Sequence, residues 1–482
     1  MELILIPILS GLIAAWAGKW SRWIALLGSI ITGVLVVTLW SQFDPTKGFQ
    51  FIFDKPWFSS AIHFKTGIDG IGLLLLLLTN FLTPVIMLSA FGKDKQSLVF
   101  ALIVAMQGAL NGVFLALDGL MFYIFWELAL IPIYFIAGMW GEGDRFKTTI
   151  RFFIYTFIGS LGMLASLLYL YSKTPDPSSF SWEALVAVKL SVKEAIAVGA
   201  GLLLAFAVKI PILPFHGWQP KTYVEAPSFG SMLLSGIMLK MGLYGLIRWF
   251  MPLVPEALSF YNPIIVTLGI AGVIYGAYIA IRQKDLKGIV AYSSLSHVGL
   301  IAAGIATLSF TGLQGGLLQM LSHGVNAVGL FFAIDIIERR LHTRTLNQLG
   351  GIAKVAPLFS VLFIILVFGA TAVPFTNGFP GELLLLKSIF SFHAWQGIIA
   401  GLTIILCAVY MLRLFQFSMF GKANNDQLTS FGALQWHEAL GMMVLVLFVV
   451  FFGLFPQTLL DISGPSIQQL QQVIEQSKEV LS

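Results

Sequence analysis

The sequence is poor in charge and nearly empty of cysteine. Of its 482 residues only 11% are Asp, Glu, Lys or Arg, against roughly 25% in an ordinary soluble domain. A soluble chain of this length divides into several domains, each with a charged coat, and too little charge is present to supply one. That shortage excludes a soluble enzyme, a nucleic-acid binder and a disordered chain. The one cysteine, Cys407, lies in an apolar run. It excludes an internal disulfide, a thiolate metal site and an iron–sulfur cluster held by this chain. The seven histidines are scattered without a His-x-x-x-His pair, and a net charge of +5 gives no polybasic surface.

What is present is hydrophobic: 57% of residues, with 47 glycines and 41 phenylalanines and a mean hydropathy of +0.88. Glycine is commoner in membrane helices than in soluble ones. The chain therefore reads as an all-α, polytopic membrane protein. A span needs about 20 mostly apolar residues, which gives about fourteen candidates. They run over 3–17, 23–40, 70–91, 97–117, 120–140, 152–171, 195–214, 229–250, 263–281, 288–307, 314–335, 356–390, 396–420 and 439–456. Met1 to Trp16 is apolar, starts with Glu2 and has no basic n-region, and is expected to be a first membrane helix, not a cleaved signal. Residues 41–68 are mixed in character and are expected to form an external loop. Residues 465–482 are expected to form a short amphipathic tail at the interface.

Orientation follows the Lys/Arg bias of the connections. Sixteen basic residues, from Lys19 and Arg22 through Arg145, Arg282, Lys287 and Arg344 to Lys422, fall after odd-numbered spans. Eight fall on the other side: Lys47, Lys55, Lys65, Lys173, Lys189, Lys193, Arg248 and Lys478. The odd connections are thus expected in the cytoplasm and both termini outside. The remaining four of the 28 basic residues, Lys209, Lys240, Lys387 and Arg413, fall within spans.

An ionisable side chain at the centre of a span costs about 2.5–3.5 kcal/mol, and such residues mark ion paths. Four stand out: Glu127 within 122–132, Lys209 within 202–211, Lys240 within 235–245 and Glu382 within 377–387. Burial disfavours the charged form of either side chain, whereas an opposite charge nearby restores it. A Glu127–Lys209 pair would act as a switch, holding the lysine proton when closed and releasing it when open. The alternative is a static ion pair that only fixes helix packing.

Prolines interrupt two of these spans. Each removes a hydrogen bond and frees the carbonyl four residues back. Pro211 and Pro214 follow Lys209; Pro374 and Pro380, with Asn377 and Gly378, precede Glu382. Interrupted helices at matching positions of two halves are a mark of inverted repeats in transporters. Polar residues at helical spacing lie between them: Ser293, Ser296 and His297; Gln319, Ser322, His323 and Asn326; Lys240, Tyr244 and Arg248. Histidine relays protons near neutrality, and His297 and His323 on adjacent spans read as a relay between the lysines and Glu382.

These motifs resemble the proton-antiporter module of respiratory complex I. The resemblance is carried by Phe125-Trp126-Glu127-Leu128, by Lys209-Ile210-Pro211 continuing to Leu213-Pro214-Phe215-His216-Gly217-Trp218, and by Ala226-Pro227 with Gly236 to Lys240. It continues in Ala291-Tyr292-Ser293-Ser294-Leu295-Ser296-His297 and Ser322-His323-Gly324. Most relatives carry lysine at the break of the twelfth span, where subunit M carries glutamate, here Glu382. The length also resembles subunit M; subunit L carries a long lateral helix. The chain is therefore identified as a member of the antiporter-like subunit M family of bacterial proton-translocating NADH:quinone oxidoreductase.

The resemblance implies two inverted five-helix repeats with broken helices 7 and 12. One single membrane domain, 1–482, would comprise 1–95 (spans 1–3), 96–250 (the first repeat), 263–420 (the second repeat) and 421–482 (the last span and tail). It implies proton translocation through Glu127, Lys209, Lys240, His297, His323 and Glu382 from cytoplasm to periplasm across the inner membrane, with both termini periplasmic. No cofactor is expected in this chain; NAD, FMN, iron–sulfur clusters and quinone would belong to partner subunits. The neighbours would be the antiporter-like subunits L and N. The sequence departs from the family at Lys221 and Tyr223, where Asp and His are usual, and at Phe375 and Pro380, where Gly and Val are usual. A subunit of an Mrp-type cation/proton antiporter or membrane-bound hydrogenase, and a structural membrane subunit with static ion pairs, are the alternatives.

Overall fold

The computed structural model describes residues 1–479 apart from 60, 92–96, 176–177, 423–427 and 429–430. The basic residues Lys93 and Lys95, and the side chain of Lys478, lie outside the described residues. The chain is helical almost throughout. In order, the principal helices are α1 (Glu2–Trp16), α2 (Ser21–Gln42), α3 (Gly70–Ser89), α4 (Ser97–Leu115), α5 (Gly119–Trp140), α6 (Arg145–Lys173) and α7 (Val192–Lys209). Then come α8 (Gln219–Glu225), α9 (Ser228–Leu253), α10 (Leu258–Arg282), α11 (Leu286–Ile305) and α12 (Phe310–Leu341). The last are α13 (Pro357–Ala370), α14 (Gly378–Phe392), α15 (Ala394–Met419), α16 (Trp436–Leu454) and α17 (Gln457–Glu479).

Among the described residues eleven helices are long and apolar enough to cross a membrane, and α1 and α13 are shorter apolar helices. The helix starts follow from side chains that accept the free backbone N–H groups of a first turn. Asp69 caps α3, Asp118 caps α5, Asp285 caps α11 and Ser309 caps α12. Ser191 and Glu194 form a reciprocal capping box at α7.

The burial pattern separates an inner and an outer set. Helices α9, α11 and α12 are almost wholly enclosed, whereas α2, α15 and α16 expose rows of apolar side chains such as Leu27, Ile31, Ile405 and Leu447. In water such rows would be an aggregation hazard; in lipid they are the solvent-facing surface. Between inner helices small residues allow close approach, as is usual in membranes. A Cβ on Gly324 of α12 would stand 2.8 Å from the Gly236 carbonyl of α9. A Cβ on Gly381 of α14 would stand 2.9 Å from the Gln319 nitrogen of α12. Each of these contacts lies next to a residue picked out above, His323 and Glu382 respectively.

Three expectations are corrected. Residues 41–68 are not simply a loop: β1 (Gln50–Ser59) and β2 (Ile62–Ile68) form an antiparallel hairpin, with Asp54 opposite Lys65. The alternating aromatic and β-branched residues of this segment suit a strand, and its charges disguised that pattern. The hairpin is tied to the bundle by Lys65 Nζ, 2.8 Å from Glu183, and by the Leu117 N–H donating to the Lys65 carbonyl. Arg248, counted above as a loop residue, is buried within α9. The amphipathic tail begins earlier than expected, at Gln457. It buries Leu459, Ile462, Ile467 and Leu470 and packs on α3 and α12.

The grouping of connections is visible in the contacts. Arg344 Nη1 lies 2.9 Å from Glu142 and 3.1 Å from Glu338, so the connections after α5 and α12 meet at one end. Lys65 and Glu183 meet at the other.

Candidate functional site

Three of the four charged residues sit where a helix is interrupted. Glu127 lies just before a turn at Ala129 that divides α5, and Pro132 removes the donor for the Leu128 carbonyl. Lys209 is the last residue of α7. There its cationic head lies at the negative end of the helix dipole. Beyond it, the Ala207 carbonyl left by Pro211 accepts from the Ile212 N–H at 2.9 Å. The Trp218 indole donates to the Val208 carbonyl at 2.9 Å. The break thus satisfies its own backbone, as membrane burial demands.

Lys209 is buried, and its Nζ makes no hydrogen bond among the described residues. It stands 5.1 Å from the Trp126 ring centre, a cation–π arrangement. Glu127 is half-buried, with Ser160 and Lys209 as its polar neighbours. The two side chains form no direct ion pair among the described residues. The static, closed ion pair is therefore not the arrangement seen here.

Lys240 lies between two π-helical segments of α9, Leu234–Met238 and Leu246–Phe250. Such wide turns free carbonyls and cluster at functional sites. Lys240 Nζ donates to the Ser235 carbonyl at 2.7 Å and lies 2.8 Å from His323 Nδ1. Lysine and histidine are both fully enclosed.

From His323 the polar residues continue around a small cavity. It is lined by Ser293, Ser294, His297, Gln319, His323 and Asn326 and offers about 20 Å³ to the centre of a water molecule. A polar cavity needs roughly 10–15 Å³ to hold one water, so this one has room. His323 Nε2, His297 Nδ1 and the Asn326 and Gln319 side-chain oxygens have no protein partner. The two imidazole rings are 6.2 Å apart. Of the expected polar faces, Ser296 turns away to the Val273 carbonyl of α10, and Ser322 donates to the Asn377 carbonyl.

The second interruption separates α13 from α14 at residues 371–377, as the prolines implied. Pro374 leaves the Ala370 carbonyl without its helical donor, and the Cys407 thiol supplies one at 3.4 Å. Glu382 lies just past the first turn of α14, buried, with neither carboxyl oxygen hydrogen-bonded among the described residues. Phe375, within the break, has φ +70, a left-handed conformation that costs roughly 1–2 kcal/mol for a residue with a Cβ.

Two polar side chains of α15 were not picked out as site residues in the sequence. Tyr410 accepts a hydrogen bond from Ser293 at 3.2 Å, and Cys407 lies 3.4 Å from His297 Nε2. Their apolar neighbours gave no signal. Arg248 pairs with Asp69 and is flanked by Phe49, Trp182 and Tyr244. Lys287, also buried, lies 3.3 Å from Glu338. Tyr244, expected beside Lys240, instead donates to the Phe114 carbonyl. Of the span lysines and arginines, Lys387 is exposed and Arg413 donates to the Ile281 carbonyl. Among the described residues no three His, Cys, Asp or Glu side chains converge as a metal site would require.

The arrangement therefore places titratable side chains, Lys209, Lys240, His323, His297 and Glu382, buried within the bundle, with Lys240 and His323 in direct contact. Residues 116–408 match the family described as NADH:quinone oxidoreductase/Mrp antiporter, TM. NADH-quinone oxidoreductase subunit M of Rickettsia typhi is 36% identical over 93% of this chain and 91% of its own. A chain of respiratory complex I from Thermus thermophilus superposes with a TM-score of 0.91 at 28% identity, covering 98% of this chain and 100% of that one. A chain of the Mrp complex from Dietzia shares the fold, with a TM-score of 0.87 at 20% identity over 100% and 98% of the two chains. The chain belongs to the NADH:quinone oxidoreductase/Mrp antiporter transmembrane family.

Proposed function

We propose that this chain is a proton-translocating membrane-arm subunit of NADH:quinone oxidoreductase. Protons move from cytoplasm to periplasm through Glu127, Lys209, Lys240, His323, His297 and Glu382. The contact of Lys240 with His323, deep in the bundle, is the observation that carries this reading. Isolated buried ammonium groups are costly, and one placed against an imidazole nitrogen has a base to which it hands its proton. When Nδ1 of His323 receives that proton, Nε2 releases its own toward the cavity. The imidazole ends neutral, and the charge has advanced by one ring.

Glu127 gates Lys209. An approach of the carboxylate would favour the charged lysine, and its withdrawal would favour release. The separation of the two groups corresponds to the releasing arrangement. Residues 96–250 and 263–420 act as two inverted repeats, each with one broken helix. Spans 1–3 lie within 1–95, and the last span and tail within 421–482. NAD, FMN, iron–sulfur clusters and quinone belong to partner subunits, and the neighbours are the antiporter-like subunits L and N. The membrane is the bacterial inner membrane, with both termini periplasmic.

Identity of 36% to a subunit M across nearly the full length, against 20% to a chain of the Mrp complex from Dietzia, favours this role over that of an Mrp-type antiporter subunit. The test is Lys240→Ala in the assembled complex, with NADH oxidation and proton uptake measured together. Loss of proton transport is expected, and normal pumping by assembled complexes would sink the assignment.

A further inference from the structure

The apolar outer surface is not convex everywhere. Helices α2 and α16 each pack on α3, and between them runs a groove of about 900 Å³. Pockets that hold small amphipathic molecules measure roughly 300–1,000 Å³. Trp23, Ile30 and Val37 of α2, Phe81 of α3, and Leu440 and Phe448 of α16 line it. Along α2 it runs from Trp23 to Ser41, about 27 Å at the helical rise per residue. The hydrocarbon core of a bilayer is about 30 Å thick, so the groove follows nearly its whole depth. The polar side chains on its wall, Thr38, Ser41 and Asn80, already have partners within the bundle. Thr38 donates to the Val34 carbonyl, Ser41 to the Thr38 carbonyl, and Asn80 joins Gln107 and Asn111. The wall therefore suits hydrocarbon.

One end of the groove is cationic. The Arg22 guanidinium lies 5.5 Å from the ring centre of Trp23 and 5.6 Å from that of Phe91. Phe91 meets Trp436 edge-on, with ring centres 6.2 Å apart. Trp23 and Trp436 both line the groove, so aromatic contacts join Arg22 to its two walls. Lys19 is exposed nearby in the chain, between the exposed Trp16 and Trp20. Tryptophans gather at the headgroup level of a membrane, which places Arg22 and Lys19 among lipid phosphates. Neither forms an ion pair among the described residues. A guanidinium held against aromatic rings keeps a fixed fork of donors, the geometry that suits a phosphate.

We propose that this groove is a phospholipid site. It takes an anionic lipid whose phosphate rests on Arg22 and whose acyl chains lie between α2 and α16 over α3. The apolar wall supplies affinity in proportion to the methylene groups it covers, and the unpaired cations at the mouth select for net negative charge. A transmembrane helix of a partner subunit is the other way to cover such a groove, and it would bring no phosphate to Arg22.

The experiment places assembled complexes in phosphatidylcholine nanodiscs with a trace of photoactivatable phosphatidylglycerol or, in parallel, photoactivatable phosphatidylcholine. Labelled peptides are then mapped by mass spectrometry. In the parent the phosphatidylglycerol analogue is expected to label α2 and α16 about fivefold more than the phosphatidylcholine analogue, the discrimination one basic group at the membrane surface gives. Arg22→Gln is expected to bring the two analogues within about twofold of each other. Ile30→Trp, which fills the groove, is expected to lower labelling by both. Leu27→Trp adds the same ring on the exposed face of the same helix and is expected to leave labelling unchanged. Equal labelling by the two analogues in the parent overturns the proposal, as does labelling that Ile30→Trp leaves intact. If Arg22→Gln does not assemble, the parent ratio and Ile30→Trp decide. A cross-linker placed at residue 30 that captures a partner subunit in place of lipid also overturns it. The readout is lipid labelling, so the result stands apart from any assay of proton transport.

Discussion

Lys240 Nζ lies 2.8 Å from His323 Nδ1, joining α9 to α12 at the centre of the protein. The two residues are 83 positions apart in the chain. Two helices approach closely enough for this contact because Gly324 and Gly236 face one another. Removing the imidazole in His323→Ala leaves Lys240 with the Ser235 carbonyl alone. An unsatisfied buried donor costs roughly 1–3 kcal/mol. Lower thermal stability of the assembled complex, together with loss of pumping, is expected. A variant that melts and pumps like the parent would show the contact to be idle.

Gly324→Ala tests the approach itself. The new Cβ would stand 2.8 Å from the Gly236 carbonyl, so one helix must shift. Overpacking of this kind costs roughly 1–3 kcal/mol. Pumping is expected to fall although no charged group is changed, as measured in vesicles holding equal amounts of complex.

The Asp69–Arg248 pair is almost fully enclosed, at 5% and 2% exposure. Removing one partner strands a buried charge, at about 3–5 kcal/mol. Arg248→Met is therefore expected to lower the amount of assembled complex sharply. Asp69→Asn with Arg248→Met should recover much of it, because the amide can still cap α3. Equal yields from single and double variants would contradict this.

Phe375 holds a left-handed conformation and is 73% exposed. Phe375→Gly removes the steric cost of the Cβ. The greater freedom of an unfolded glycine offsets part of that gain, leaving up to about 1 kcal/mol of stabilisation. A raised melting temperature with unchanged assembly is the expected outcome, and a lowered one would show that the Phe375 ring contributes more than the strain costs.

Orientation is open to labelling. Lys147 and Lys189 are exposed and lie on connections assigned to opposite sides, whereas the native Cys407 is buried. Lys189→Cys is expected to react with an impermeant thiol reagent in intact cells, and Lys147→Cys only in inverted vesicles. The opposite pattern would reverse the topology.

Much of this protein was legible in its sequence because a membrane leaves few options. Apolar runs must be helical there, and a charge inside one has to have a reason. Glu127, Lys209, Lys240 and Glu382 were therefore visible without coordinates, and Pro211 and Pro374 located the interruptions. Strands β1 and β2 were obscured because a short hairpin outside the spans obeys no such restriction. Tyr410 and Cys407 were hidden for a different reason: tyrosine and cysteine carry little insertion penalty, so nothing marks them in an apolar run.

By itself, then, the sequence determined the helical class, the buried charges and the breaks beside them, since each follows from the local cost of placing a residue in hydrocarbon. Only the tertiary structure decided partnership. It put Lys240 on His323, kept Glu127 apart from Lys209, paired Arg248 with Asp69 and joined Tyr410 to Ser293. Those contacts join helices distant in the chain, and their distances are fixed by how small residues let the helices close on one another.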